Sequence, residues 1–132
     1  MVSVAAVRKE FEMPSHSSLM EPPHKYIGYF HNLPQNKSAK QGIALFIKKY
    51  IKHKRIPVLS NISAIAIEIN TGFKFSIVTC YIPSKFNAGE LIGVINAVPA
   101  PTIIIGDFNA WSPLWGSTFS NGRGQIVEDV IL

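Results

Sequence analysis

The stretch Thr102-Ile-Ile-Ile-Gly-Asp-Phe-Asn-Ala-Trp111 combines a short apolar run with polar side chains at its end. Its β-branched residues predict a buried strand, and Gly106 permits a sharp backbone turn after it. In an extended backbone Asp107 and Asn109 point to one side, while Phe108 points to the other, into the core. The stretch therefore predicts a strand whose carboxyl end presents an aspartate and an asparagine together.

These two side chains suit phosphoryl-transfer chemistry. An aspartate can orient an attacking water, and an asparagine can donate a hydrogen bond to a phosphate oxygen whose charge grows in the transition state. The alternative for Asp107-Phe-Asn109 is an ordinary turn in which the aspartate binds the backbone two residues on.

Upstream, the chain alternates between apolar runs and polar loops. Strands are predicted at residues 26–30, 42–48, 63–69 and 73–81, and the last two are joined by an Asn70-Thr71-Gly72 hairpin. Helical spacing predicts a helix over residues 88–98, and a second helix opens at Gly124. The order of elements predicts an α/β fold in which antiparallel hairpins mix with crossover-linked strands.

Composition sets the class of protein. The 132 residues fit one domain, 47% of them are hydrophobic, and the net charge of +5 favours a polyanionic partner or simply keeps the chain in solution. Cys80 stands alone, so no intrachain disulfide forms, and a small buried residue is expected there rather than a nucleophile. We find no signal peptide and no membrane-spanning run, and expect an intracellular protein.

Four motifs in order carry a resemblance to a known family. Ile105-Gly-Asp-Phe-Asn-Ala110 resembles the central motif of the endonuclease/exonuclease/phosphatase superfamily. Trp111-Ser-Pro-Leu-Trp-Gly-Ser117, followed by Asn121-Gly-Arg-Gly124, resembles its version in insect and arthropod non-LTR retrotransposons. Gln41-Gly-Ile-Ala-Leu-Phe-Ile-Lys48 resembles the glycine-led strand of that domain, and Thr79-Cys-Tyr-Ile-Pro83 its Tyr-x-Pro strand end.

The resemblance implies a fold and its limits. A partial four-layer α/β sandwich is expected over residues 25–132, with mixed, largely antiparallel sheets flanked by helices. Residues 1–24 would form a poorly defined segment before it. By the same resemblance, Asp107 positions or activates the water and Asn109 contacts the phosphate. Tyr81 binds the phosphate from the neighbouring strand, or else packs its ring at the strand end with its hydroxyl in water.

Further substrate contacts are assigned to residues after the motif: Trp111, Trp115, Asn121 and Arg123. The tryptophans suit base stacking, although we expect at least one in the core because Leu114 shares the segment. The basic stretch, residues 48–55, holds Lys48, Lys49, Lys52, His53, Lys54 and Arg55. It either follows a DNA backbone or forms a solvated hairpin or helix end.

The family's metal, Mg²⁺ or Mn²⁺, needs an acidic ligand near the N-terminus. Glu12 in Phe11-Glu-Met-Pro14 is the nearest candidate by position, although no apolar strand leads into it. The family's later Asp and its Ser-Asp-His motif are not found before Leu132, and all four histidines precede the Asp107 strand. The resemblance thus implies a domain truncated at both ends and a chain that is weak or inactive by itself.

Three functions follow as hypotheses. The first is DNA nicking that supplies a primer end, in a full-length element fused to a reverse transcriptase. The protein would then be nuclear if it acts on chromosomal DNA. The second is a phosphatase or phosphodiesterase of the same superfamily, acting on lipids, inositol phosphates or nucleotides. The third is a non-enzymatic remnant that at most binds nucleic acid electrostatically.

Overall fold

A computed structural model describes residues 2–5, 25–32, 42–82 and 85–132. They form two sheets and two helices. In chain order the elements are β1 (Val2–Ala5), β2 (Tyr26–Asn32), β3 (Gly42–Lys48), β4 (His53–Ile56), β5 (Ser63–Asn70), β6 (Lys74–Tyr81), α1 (Ala88–Asn96), β7 (Thr102–Asp107), a 3₁₀ turn (Pro113–Trp115) and α2 (Gly122–Ile131).

The central sheet has five strands in the order β1-β7-β6-β5-β4. The hairpin between β5 and β6 pairs Ser63 with Tyr81 at one end and Asn70 with Lys74 at the other. As predicted, its turn lies at Asn70-Thr71-Gly72, where Gly72 has a φ of 90° that suits glycine. β6, β7 and β1 run parallel, and α1 makes the crossover from β6 to β7. This mixture of antiparallel and parallel pairs confirms the predicted α/β class.

One face of the central sheet packs against both helices. Val78 and Cys80 of β6 are fully buried there with Ile104 of β7, because alternate residues of a strand share a face. Leu91 from α1 and Val127 from α2 are buried against them. Each such side chain contributes about 1.5–3 kcal/mol of burial free energy, so this layer supplies most of the described apolar core.

The other face is covered by the two-stranded sheet of β2 and β3. Ile47 of β3 packs on Ile67 and Ile69 of β5 in a second buried cluster. The described residues therefore supply three layers of the sandwich: helices, the five-stranded sheet and the two-stranded sheet.

A polar link also joins the two sheets. The Nδ1–H of His53 donates to the Ile51 carbonyl at 2.8 Å, so Nε2 accepts from the Tyr29 hydroxyl, also at 2.8 Å. The Arg55 guanidinium lies over the Tyr29 ring, 5.6 Å from its centroid. These contacts tie β2 to β4.

The strands that the sequence analysis missed, β1 and β4, both lie at edges of the central sheet. Val2–Ala5 has only four residues, which is too short for its sequence pattern to predict a strand. It is a strand because it pairs with β7. His53–Ile56 belongs to the basic stretch, and its Lys54 forms an ion pair with Glu68 on β5 at 3.2 Å. The stretch is thus neither a hairpin nor a helix end, because it links β3 in one sheet to β4 in the other. Residues 6–24 and 33–41, with their predicted loops, lie outside the described residues, and the domain limit at residue 25 stays a prediction.

The close pairing of β6 with β7 requires glycine at position 106. A Cβ atom there would lie 1.9 Å from the Cys80 carbonyl oxygen. We expect Gly106→Ala to lower the free energy of unfolding by about 3 kcal/mol, because the two strands must separate to admit the methyl group. Gly93→Ala in α1 is the control: no atom lies within 4 Å of its new methyl group, and helix propensity should raise stability by about 1 kcal/mol. Urea denaturation measures both, and an unchanged midpoint for Gly106→Ala would contradict the close approach.

Burial raises the pKa of the Cys80 thiol from 9.0 to about 12. Since the folded-state pKa is the higher one, the unfolded chain ionises first, and this contribution to stability is complete below pH 9.0 and lost as the pH rises towards 12. We expect the wild type to lose up to about 1.4 kcal/mol per pH unit from this group. Cys80→Ala should be less stable at neutral pH but lack this part of the slope. Denaturation curves at pH 8 to 11 give the free energy of unfolding of both proteins. If it falls with pH equally in the wild type and in Cys80→Ala, Cys80 is not buried.

Candidate active site

The site lies where β6 and β7 end. Tyr81 and Asp107 are the last residues of these parallel strands and are Cα partners in the sheet. They therefore lie at the same edge of the sheet, the one formed by the carboxyl ends of β6 and β7. Cys80 and Gly106 face the helices, which puts the side chains of Tyr81 and Asp107 together on the opposite face. Both are half-buried. The structure thus brings together two residues that the sequence places 26 positions apart.

Asn109 lies in a turn, and the extended backbone expected at this residue is wrong. Its φ is 46°, a left-handed conformation that asparagine tolerates better than most side chains. The physical reason is that the chain leaves the sheet at Asp107, whose Oδ1 accepts the Asn109 backbone N–H at 3.0 Å. The turn alternative is therefore observed. Phe108 points into the helix-side core, as predicted.

The turn directs the Asn109 side chain back to the end of β6. Its Nδ2 donates to the Ile82 carbonyl at 3.1 Å, while the Ile82 N–H donates to the Asp107 carbonyl at 2.9 Å. Asp107, Asn109 and Ile82 are thereby locked to one another. Within the part of the chain that the structure describes, Asp107 Oδ2 and the Tyr81 hydroxyl have no protein partner. The arrangement offers one fixed carboxylate oxygen and one hydroxyl for a bound molecule.

Asn121 connects this turn to α2. Its Oδ1 caps the helix by accepting the Gly124 N–H at 2.7 Å and also accepts the Trp111 N–H at 3.1 Å. Its Nδ2 donates to the Asn109 carbonyl at 3.4 Å. The predicted substrate-binding residue Asn121 is thus engaged in holding the loop, and contact with substrate stays a prediction. Arg123 lies half-buried in the first turn of α2, where its own predicted contact stays equally open.

The two tryptophans differ. Trp115 is half-buried, its Nε1–H donates to the Ala110 carbonyl at 2.9 Å, and its ring packs on the helix-side core. Trp111 is 52% exposed and packs edge-to-face on Phe119. The expectation that at least one tryptophan joins the core is confirmed for Trp115. We found no sequence signal that separates the two, because only the folded loop shows which ring faces the helices.

The basic stretch lies far from this edge. His53 pairs with Ile69, which pairs with Phe75, six residues before Tyr81 on β6. At about 3.3 Å per residue, that is about 20 Å along the strand. The lysines cannot hold the same phosphate as Tyr81 and Asp107.

A divalent metal needs more ligands than this site shows. In residues 2–5, 25–32, 42–82 and 85–132, no three His, Cys, Asp or Glu side chains converge. The predicted ligand Glu12 lies outside these ranges. The described half of the site does not by itself fit a protein-held Mg²⁺ ion. No helix in the described ranges is long and apolar enough to cross a membrane.

The fold and site define a class: an α/β protein whose parallel strands end in a paired tyrosine and aspartate, followed by an Asp-Phe-Asn turn. Residues 75–132, which hold all of these features, match the family described as endonuclease-reverse transcriptase. This match, which covers less than half of the chain, confirms the resemblance to non-LTR retrotransposon endonucleases that the sequence predicts.

Two curated relatives from Drosophila melanogaster are similar to the chain. "Probable RNA-directed DNA polymerase from transposon BS" is 24% identical over 101 residues, covering 73% of this chain and 11% of that protein. "Probable RNA-directed DNA polymerase from transposon X-element" is 27% identical over 113 residues, covering 81% and 12%. The chain thus spans about a tenth of each relative. No solved structure gives a significant match.

Two variants of Asn109 separate its backbone and side-chain roles. Asn109→Gly loses the hydrogen bond to Ile82 but suits the left-handed φ, and we expect a cost of about 1 kcal/mol. Asn109→Ala loses the bond and also strains the backbone, for a cost of about 2–3 kcal/mol. Urea denaturation of both proteins gives the comparison. An alanine variant as stable as the glycine variant would mean that the positive φ imposes no constraint.

Proposed function

We propose that this chain supplies the water-orienting and phosphate-binding part of a metal-dependent endonuclease that hydrolyses phosphodiester bonds in DNA. The observation that carries the proposal is the pairing of Asp107 with Tyr81 at one sheet edge, locked by the Asn109 turn. A preorganised carboxylate and hydroxyl need no rearrangement when charge develops on a phosphate, and such preorganisation is a main source of rate enhancement.

Each group has a distinct part in the proposed reaction. Asp107 Oδ2 accepts a hydrogen bond from the attacking water, while Oδ1 is held by the Asn109 N–H, so the carboxylate cannot rotate freely. The Tyr81 hydroxyl donates to a non-bridging phosphate oxygen. One Nδ2 hydrogen of Asn109 is engaged with Ile82, and the other is the proposed second donor to the phosphate.

The family supports a divalent ion, Mg²⁺ or Mn²⁺, as part of this proposal, and such an ion would supply charge neutralisation at the phosphate. Its ligands would come at least in part from residues outside the described ranges, with Glu12 as the proposed acid. The names of the relatives support a further proposal. In a longer protein, this chain would be joined to a reverse transcriptase and act on chromosomal DNA in the nucleus.

Electrostatic binding of nucleic acid without hydrolysis is the second candidate. The net charge of +5 and the separate basic stretch favour it, because polyanion binding needs neither Asp107 nor a metal. The two candidates differ in one measurable property, the cleavage of the bound strand.

A plasmid-nicking assay tests the proposal. Supercoiled DNA is incubated with the wild-type chain in Mg²⁺ or in EDTA, and with Asp107→Ala and Asp129→Ala. Asp129 is an exposed acid on α2 and serves as the matched control. We expect nicking that requires Mg²⁺, falls about 100-fold or more in Asp107→Ala, and is unchanged in Asp129→Ala. Nicking that survives EDTA or the Asp107 substitution would contradict the site.

The nicking rate in the same assay also tests the expectation from the sequence that the chain is weak or inactive by itself. If the rate lies below detection, amide NMR spectra on addition of a short DNA duplex provide the test. The resonances of Tyr81, Asp107 and Asn109 should move, and spectra in which they stay unmoved would argue for electrostatic binding elsewhere. Phosphate release from inositol phosphates, measured in parallel, would instead favour the phosphatase hypothesis.

A further inference from the structure

Two aromatic rings pack on each other in solvent beside the site. Trp111 and Phe119 are 52% and 53% exposed, with ring centroids 5.1 Å apart and planes at 80°. Single exposed apolar residues are normal on protein surfaces, whereas a packed exposed pair offers a ready-made contact surface. We call these two residues the aromatic pair.

The fold holds Trp111 in place through its backbone. Its N–H donates to Asn121 Oδ1 at 3.1 Å, and its carbonyl accepts the Asn121 N–H at 3.0 Å. A Cβ atom at Gly124 would lie 1.9 Å from the same carbonyl, so α2 begins directly against it. Trp115 packs on the core, and its indole N–H donates to the Ala110 carbonyl. The Trp111 ring has no such contact with the described core. A ring fixed before binding loses little entropy when a ligand stacks on it.

The aromatic pair is tied to the site by one side chain. The Asn121 amide that holds Trp111 also donates to the Asn109 carbonyl at 3.4 Å. Trp111 is four residues beyond Asp107, so their Cα atoms are at most about 14 Å apart. That distance is about four base steps of a DNA strand. A strand with a phosphate at Asp107 can therefore place a nearby base on Trp111.

We propose that the aromatic pair stacks on an unpaired base of the DNA strand whose phosphate lies at Asp107. This inference rests on the proposed function. Bases within a duplex present only their edges in the grooves, whereas an unpaired base exposes the flat face on which an indole stacks. The net charge of +5 favours a polyanionic ligand over an apolar protein surface. The endonuclease would thus prefer DNA that is locally unpaired near the cleaved bond.

Binding without cleavage tests this preference. Two dye-labelled duplexes of equal length, one fully paired and one with three unpaired bases at its centre, are titrated in EDTA and followed by fluorescence anisotropy. We expect the wild type to bind the unpaired DNA about ten-fold more tightly. Trp111→Ala should lose this preference and bind both duplexes alike. Because stacking carries no charge, the ratio should persist at higher salt while both affinities fall.

Two further variants make the test specific. Phe73→Ala removes another exposed aromatic side chain, 62% exposed, at the β5–β6 turn on the far end of the sheet, and it should keep the preference. Trp111→Phe retains a ring and should keep most of the preference. An unfolded variant, in contrast, would have a changed affinity for both DNAs. A preference that survives Trp111→Ala, or that the wild type lacks, would overturn the proposal.

The two proposals fail separately. Titration in EDTA contains no cleavage step, so its failure shows that the aromatic pair does not stack on DNA. If no Asp107-dependent nicking is observed in Mg²⁺, that result counts against the hydrolytic site alone.

Discussion

The parallel pairing of β6 with β7 is the constraint on which the rest of the structure depends. It sets Tyr81 beside Asp107, and it requires the close approach of Gly106 to the Cys80 carbonyl. On the helix side, the same two strands present Val78 and Ile104 to the core. The packing of the helices and the alignment of the site therefore depend on the same strand pairing, because a shift between these strands would disturb both.

A second, smaller link lies in the Asn121 side chain. One amide caps α2, holds Trp111 and contacts the Asn109 carbonyl, so the loop after the strand cannot move without the helix. This gives a structural reason for the Asn121-Gly-Arg-Gly124 motif that needs no substrate. Asn121 is the cap, and Gly124 leaves room for the Trp111 carbonyl. The motif therefore supports the shape of the site, and any direct role in binding would be an addition to that.

The charged and aromatic surfaces lie apart on this fold. Residues 53–55 of the basic stretch lie about 13 to 20 Å along the strand direction from Tyr81. Three cations of the stretch already have protein partners: Lys54 with Glu68, Arg55 with the Tyr29 ring and Lys48 with the Tyr50 ring. The aromatic pair, in contrast, lies on the loop that leaves Asp107. Under the proposed function, charge would hold DNA at a distance from the site, and the rings would act on the strand beside the reacting phosphate.

The sequence by itself determined the local elements and the family resemblance, because period-two alternation, a glycine turn and the Asp-Phe-Asn motif are properties of neighbouring residues. It located the β5–β6 hairpin and the strand that ends at Asp107. It could not locate β4 or β1, since an edge strand is stabilised by a partner distant in the chain. Only the tertiary structure decided that Tyr81 faces Asp107, that Asn109 adopts a left-handed turn, and that Trp115 packs inward while Trp111 stays in solvent. Each of these depends on contacts between residues that come together only when the strands and α2 pack.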